Sequence, residues 1–206
     1  MIVALALTAV AAAVFGAETI VIAGDPSPTG LDTRVLEAAE DINSGAGVAI
    51  AKVVTVFGTL PVTGIAVVVT AILLVRAGRA ADAAALVASA VAIYIAVHVT
   101  KAATDRPRPP DPVVPASLSA FPSGHAAYST VYVAVALLSR KGAVVTAAAL
   151  ALACAIGASR LYLRVHWATD VLAGWALGAA IFGAAAAIAV VVGRFRNNDA
   201  RTVPWR

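Results

Sequence analysis

The sequence predicts an all-α, polytopic membrane protein, a six-transmembrane-helix bundle whose polar chemistry gathers at one end. Three observations carry that expectation. Hydrophobic residues make up 61% of the 206-residue chain and charged residues only 13%, against roughly 25% charged in an ordinary soluble domain. Mean hydropathy is +0.92. The apolar residues fall into six runs near membrane-crossing length, with Lys and Arg at their ends. Such a chain is neither disordered nor collagen-like nor an ordinary soluble globule. The net charge of +4 sits at run ends, which fits membrane topology better than a phosphate-tracking face, so no nucleic-acid partner is expected.

A bilayer core takes about 20 apolar helical residues, with about 17 as a lower limit. The first run covers 1–17 and stops at Glu18. It lacks a basic segment in front and a small-residue cleavage pattern, with Phe15 two residues before Ala17, so it reads as a retained helix rather than a removed leader. The second run, 53–75, contains no charge, and the third is 83–100. The fourth, about 126–138, is short but extends into the turn at Gly124. The fifth is 142–158. The sixth, 167–192, holds one acid, Asp170, near its start. Between the first two runs, apolar residues recur at Leu31, Val35, Ala38, Ala39 and Ile42. That period predicts an amphipathic helix lying on the membrane surface or covering the bundle. No linker, repeat or second domain interrupts the chain, so 1–206 is expected to be one domain.

Cation placement orients the bundle. Arg76, Arg79, Arg140, Lys141, Arg194, Arg196, Arg201 and Arg206 share one side with only Asp82 and Asp199 as acids. This predicts a multi-pass cell-membrane protein with both termini cytoplasmic. The opposite, extracytoplasmic side holds seven cations, and the bias is clear only if some of them have another task.

That task is legible in two segments on the extracytoplasmic side. The first runs from Lys101 through Arg106-Pro107-Arg108-Pro109-Pro110 to Pro122-Ser123-Gly124-His125, with prolines stiffening it. Ser123 is a good N-cap and Gly124 allows close backbone approach, so the start of the fourth helix offers free N–H groups to an anion. Lys101, Arg108 and Arg160 add three cations, and arginine's fork matches phosphate oxygens. The second segment is Ser159-Arg160, then His166 and Asp170 at i, i+4 on one helix face. An Asp170 carboxylate accepting from His166 Nδ1–H would aim Nε2 outward as a nucleophile. His125 remains to protonate a leaving oxygen. Phosphoryl transfer is mostly positioning and charge stabilisation, so three cations can stand in for a metal. No metal or other cofactor is expected, and three histidines leave little room for a His-built metal site.

Lys-x6-Arg-Pro over 101–109, Pro-Ser-Gly-His over 122–125 and Ser-Arg-x5-His-x3-Asp over 159–170 together resemble the signature of the type 2 phosphatidic acid phosphatase (PAP2) superfamily. All eleven signature residues are present in order and at the family's spacing. The resemblance implies a lipid phosphate phosphatase working without metal. It implies that His166 is the nucleophile forming a phosphohistidine, Asp170 its orienting partner and His125 the general acid. It also implies that Lys101, Arg108, Ser123, Gly124 and Arg160 bind the phosphate. The implied partners are the bilayer and a lipid phosphate or diphosphate. A polyprenyl diphosphate, recycled for cell-wall synthesis, is the favoured substrate, with phosphatidic acid and phosphatidylglycerol phosphate close behind.

Competing readings are weaker. A vanadium-dependent haloperoxidase shares the signature, but six apolar runs argue against it. A transporter would place charges within its spans, whereas here the runs are nearly charge-free. Cys154 and Arg160 show cysteine-phosphatase spacing, yet Cys154 lies inside an apolar run, where a buried protonated thiol is expected. His98 lies one turn before Lys101, within possible reach of the site. Arg106 and Arg164 suit head-group charge or surface solvation. Trp167 and Trp175 are expected at the interface and facing lipid. Gly174 and Gly178 form a Gly-x-x-x-Gly face usable for a homodimer or for packing inside the bundle.

Overall fold

The computed structural model describes residues 2–116 and 119–202, with side chains through 189. Among the described residues, eight helices follow one another: α1 (Ile2–Gly24), α2 (Gly30–Asp41), α3 (Gly45–Val56), α4 (Leu60–Arg76), α5 (Ala80–Thr104), α6 (Gly124–Ser139), α7 (Ala143–Tyr162) and α8 (Ala168–Thr202). No strand occurs among the described residues. The side chains of Arg194, Arg196, Arg201 and Arg206, and of Asp199, lie outside the described residues.

Among the described residues, four helices are long and apolar enough to cross a membrane: Ile2–Gly24, Ala80–Thr104, Ala143–Tyr162 and Ala168–Ala189. The second apolar run is not one straight helix, as its hydropathy suggested. It is split into α3 and α4, bent by 41° at residues 57–59. Gly58 and Thr59 sit at the break, and Pro61 opens α4, where its missing N–H costs nothing. Counting the bent pair as one span gives five. The sixth element, α6, has 16 residues, about 24 Å of helix against a core of about 30 Å. It packs against α4, α5, α7 and α8, so other helices rather than lipid surround much of it.

Local chemistry fixes the ends. Thr29 and Asp32 form a capping box at the start of α2. Ser44 caps α3 by accepting from Gly47 N at 3.1 Å, and Ser123 caps α6 by accepting from Ala126 N. Asp105 closes α5 in the left-handed region at φ 41°. The amphipathic segment forms helix α2, but its buried face carries Asp32 as well as Ala39, while Leu31 and Ile42 are exposed.

Small residues let the bundle close. A Cβ at Gly174 would lie 2.5 Å from Ser123 O, and one at Gly178 would lie 2.2 Å from Thr130 Oγ1. The Gly174/Gly178 face is therefore spent against α6 within one chain, which corrects the homodimer reading. Trp175 lies against Gly157, where a Cβ would sit 2.1 Å from its ring. Trp167 is buried and donates to Pro107 O at 2.8 Å. Trp167 is thus not an exposed interface aromatic, while Trp175 is half-buried. Cys154, expected to be buried, is exposed on α7. Hydropathy cannot separate these cases, because lipid and a helix neighbour are equally apolar.

Candidate active site

The chain order brings the ends of α5 and α7 and the starts of α6 and α8 to one end of the bundle. The Pro-rich segment after α5 and the helices α2 and α3 lie over that end. Every described site residue expected from the sequence meets there.

His166 stands just before α8 and is 5% exposed. Its Nδ1 lies 3.3 Å from Asp170 Oδ2, on the first turn of α8. The same Oδ2 accepts from Trp167 N at 2.8 Å, so the carboxylate also ties down the start of the helix. Nδ1 is assigned as the donor, because the carboxylate can only accept. Nε2 then keeps its lone pair, and it faces Arg108 Nη1 at 3.4 Å. Burial first, then the charges of Lys101, Arg160 and Arg108, hold the His166 imidazole well below its ordinary pKa. It is therefore neutral, and nucleophilic, around pH 7.

Lys101 Nζ donates to Ser119 O and, at 3.3 Å, to Ala120 O. Arg108 donates to Val165 O and, at 3.4 Å, to Ser119 O. Arg160 is 6% exposed and donates from Nη1 to Thr55 Oγ1 at 2.7 Å. Its Nε is buried without a hydrogen-bond partner. Lys101 and Arg160 are thus held by neutral oxygens, which leaves their positive charge available to an anion. Ser123 is fully buried and Gly124 is buried beside it at the α6 N-terminus. Ser123 N donates to Asp170 O at 2.9 Å. His125 lies one residue further, within electrostatic range of Arg160, His166, Arg108 and Lys101. Room for its ring comes from Gly58, where a Cβ would lie 3.0 Å from His125 Cδ2. The break between α3 and α4 thus borders the site.

Among the described residues, no group of three or more His, Cys, Asp or Glu side chains could hold a metal ion. His98 stays outside the cluster: it is exposed, its ring lies 4.2 Å from Tyr94, and its Nδ1 is 2.8 Å from Tyr94 O.

Sequence reasoning missed four residues. Asp32 is fully buried, and Arg106 is buried between Asp32 and Asp170. That corrects the reading of Arg106 as a head-group or surface cation. Breaking such a buried pair on one side typically costs about 3–5 kcal/mol. Thr55 holds Arg160, and Gly58 makes room for His125. The Thr29–Asp32 spacing was a visible helix-start signal, but nothing local pointed from Asp32 to a partner 74 residues away.

The PAP2 superfamily sequence profile matches residues 82–194, more than half of the chain. The chain belongs to the PAP2 superfamily. Among its described residues, this PAP2 member carries helices long and apolar enough to cross a membrane. Its fold is similar to that of a transmembrane PAP2-type phosphatidylglycerolphosphate phosphatase from Bacillus subtilis. The TM-score is 0.75 at 23% identity, over 93% of this chain and 97% of that one. Aquifex aeolicus LpxE is similar at a TM-score of 0.65 and 19% identity, over 77% of this chain and 96% of that one. No match was found among curated proteins.

Proposed function

We propose that this PAP2 chain, a single domain over 1–206, hydrolyses a membrane-anchored phosphate or diphosphate without metal, through a phosphohistidine on His166. The observation that carries this reading is the His166–Asp170 pair: Nδ1 faces Asp170 Oδ2, and Nε2 opens toward Arg108 and the other cations. Lys101, Arg108 and Arg160, with Ser123 and Gly124 at the α6 N-terminus, hold the phosphate oxygens. The Nε2 lone pair attacks phosphorus in line, and the bond from phosphorus to the leaving oxygen breaks. His125 gives its proton to that oxygen. The bound phosphate dianion supplies the charge that lets an imidazolium stand among three cations. Water then attacks the phosphohistidine and gives its proton to His125. Inorganic phosphate leaves, and His166 regains its lone pair.

Phosphate release in detergent from polyprenyl diphosphate, phosphatidic acid and phosphatidylglycerol phosphate tests the substrate class. Turnover of at least one is expected to persist in EDTA, and vanadate is expected to inhibit. Loss of all turnover in EDTA with rescue by Mg²⁺ would contradict the three-cation site. Absence of turnover with all three lipids would favour a transport role instead.

The pH profile carries a second expectation. Protonation of His166 removes its lone pair, and its imidazole pKa is held far down. The acid limb of kcat/KM, which reports the free enzyme, is therefore expected well below pH 6.5. A limb near 6.5 in the wild-type protein would show an unperturbed imidazole instead.

The reading also places the site on the extracytoplasmic face. We infer six spans with both termini cytoplasmic, the orientation resting on the same cation bias. Lys101, Arg108 and Arg160 serve the site, and Arg106 is buried in ion pairs. Only Arg34, Lys52 and Arg164 then remain outside, against eight cations inside. In a Cys154→Ser background, single cysteines at exposed Glu37 and exposed Lys141 report the orientation. An impermeant maleimide on intact cells is expected to label Glu37→Cys and not Lys141→Cys. The reverse pattern would turn the site to the cytoplasm.

A further inference from the structure

One group of fully buried charges lies behind the phosphate site rather than in it. The Arg106 side chain has 0% exposure, as do those of Asp32 and Asp170. Arg106 Nη1 donates to Asp170 Oδ1 at 2.5 Å and to Thr169 Oγ1 at 2.8 Å. Nη2 donates to Asp32 Oδ2 at 2.7 Å. Asp32 in turn accepts from the backbone N–H groups of Thr29 and Thr169, each at 2.9 Å, and from both of their hydroxyls. The Arg106 guanidinium also sits 5.8 Å from the centre of the Trp167 ring.

Stability is a poor explanation for this arrangement. Removing one guanidinium and two carboxylates from water is costly, and apolar residues in their place often do as well or better. What the arrangement does provide is direction. Oδ2 of Asp170 serves His166 and Trp167, while Oδ1 is held by Arg106. The carboxylate cannot turn without breaking one set of bonds. Its orientation sets the His166 ring, and the ring sets where Nε2 points.

We infer that Arg106 and Asp32 are positioning residues for the nucleophile. Through them α2, which lies before the 82–194 segment that matches the family, buttresses the Asp170–His166 pair. The inference rests on the reading of His166 as the nucleophile. The relay starts at the capping box of α2, passes through the Arg106 fork to Asp170 and ends at Nε2. Replacing the guanidinium by a neutral group also removes the cation that favours the charged form of a neighbouring carboxylate. The charged and titratable groups around Asp170 are Lys101 from α5, Arg106 and Arg108 from the segment after α5, Glu18 from α1, and His166 in direct contact with it. Arg160 from α7 acts on the adjoining His166.

Two variants of the full chain in detergent test this. The double variant Asp32→Asn with Arg106→Gln removes both charges of that pair together. Arg106→Lys keeps a charge but loses the fork that spans two carboxylates. Turnover of the panel lipid hydrolysed fastest is measured against pH, beside melting temperature. The double variant is expected to lose about 10–100-fold in kcat, with KM within about 2-fold and the acid limb of kcat moved to higher pH. Arg106→Lys is expected to lose about 10-fold in kcat with the acid limb near its original position. A lowered melting temperature with kcat per folded molecule and acid limb unchanged in both variants would make the pair merely structural and overturn the inference. If the double variant does not fold, the kcat of Arg106→Lys decides alone. Turnover surviving in His166→Ala would instead overturn the nucleophile reading, a distinct failure.

Discussion

His166→Ala abolishes turnover: kcat falls by about 10⁴-fold or more, to the background that charge and binding alone support. The reason is geometric. Nε2 of His166 is the lone pair placed among the three cations, with its other nitrogen fixed on Asp170. Alanine at 166 leaves Lys101, Arg108 and Arg160 in place, so the substrate is still bound and KM changes little. Phosphate release from the panel lipids, with vanadate protection of the melting temperature as the binding control, checks both halves. A His166→Ala protein that binds vanadate and still turns over at more than a few per cent would remove His166 from the chemistry.

Asp170→Asn is expected to have the second largest effect, about 10³–10⁴-fold in kcat. The wild-type carboxylate only accepts: from His166 Nδ1, from Trp167 N and from Arg106 Nη1. An amide offers one accepting oxygen and two donating hydrogens. If its oxygen stands at the Oδ1 position and serves Arg106, its NH₂ replaces Oδ2, opposes the Trp167 N–H and faces Nδ1, which selects the opposite tautomer, puts the proton on Nε2 and blocks attack. It also leaves the buried Arg106 with Asp32 as its sole anion. The measurement is kcat with a folded-protein titration, because the buried pair makes some loss of stability certain. A folded Asp170→Asn protein within about 10-fold of wild type would show that tautomer control does not limit the reaction.

Much of this was readable before the structure. The His166–Asp170 spacing of four residues put both on one face of a helix start, and Ser123-Gly124 announced an N-terminus. These are local rules, so they transfer directly. The break in the second apolar run was also marked, by Gly58 and Pro61, but uniform hydropathy concealed it. What stayed hidden depends on partners far away in sequence. Arg106 looked like a surface cation because its neighbours are prolines and it lies in a loop. Only the fold brings Asp32 of α2 and Asp170 of α8 to its two sides. Trp167 and Cys154 were misplaced for another reason. In a membrane bundle a lipid-facing surface and a helix-facing surface have the same composition, and the decisive signal is the small residue opposite, here Gly157 against Trp175.

The central claim is that the phosphoryl group passes through His166. Its most direct test is to mix the purified protein with a ³²P-labelled lipid phosphate from the panel, quench within one turnover in alkaline detergent, and map the labelled peptide. The account predicts an alkali-stable, acid-labile label on the peptide carrying His166, absent from His166→Ala. A label on Ser123 or His125, or direct transfer to water with no labelled peptide at any quench time, would contradict it.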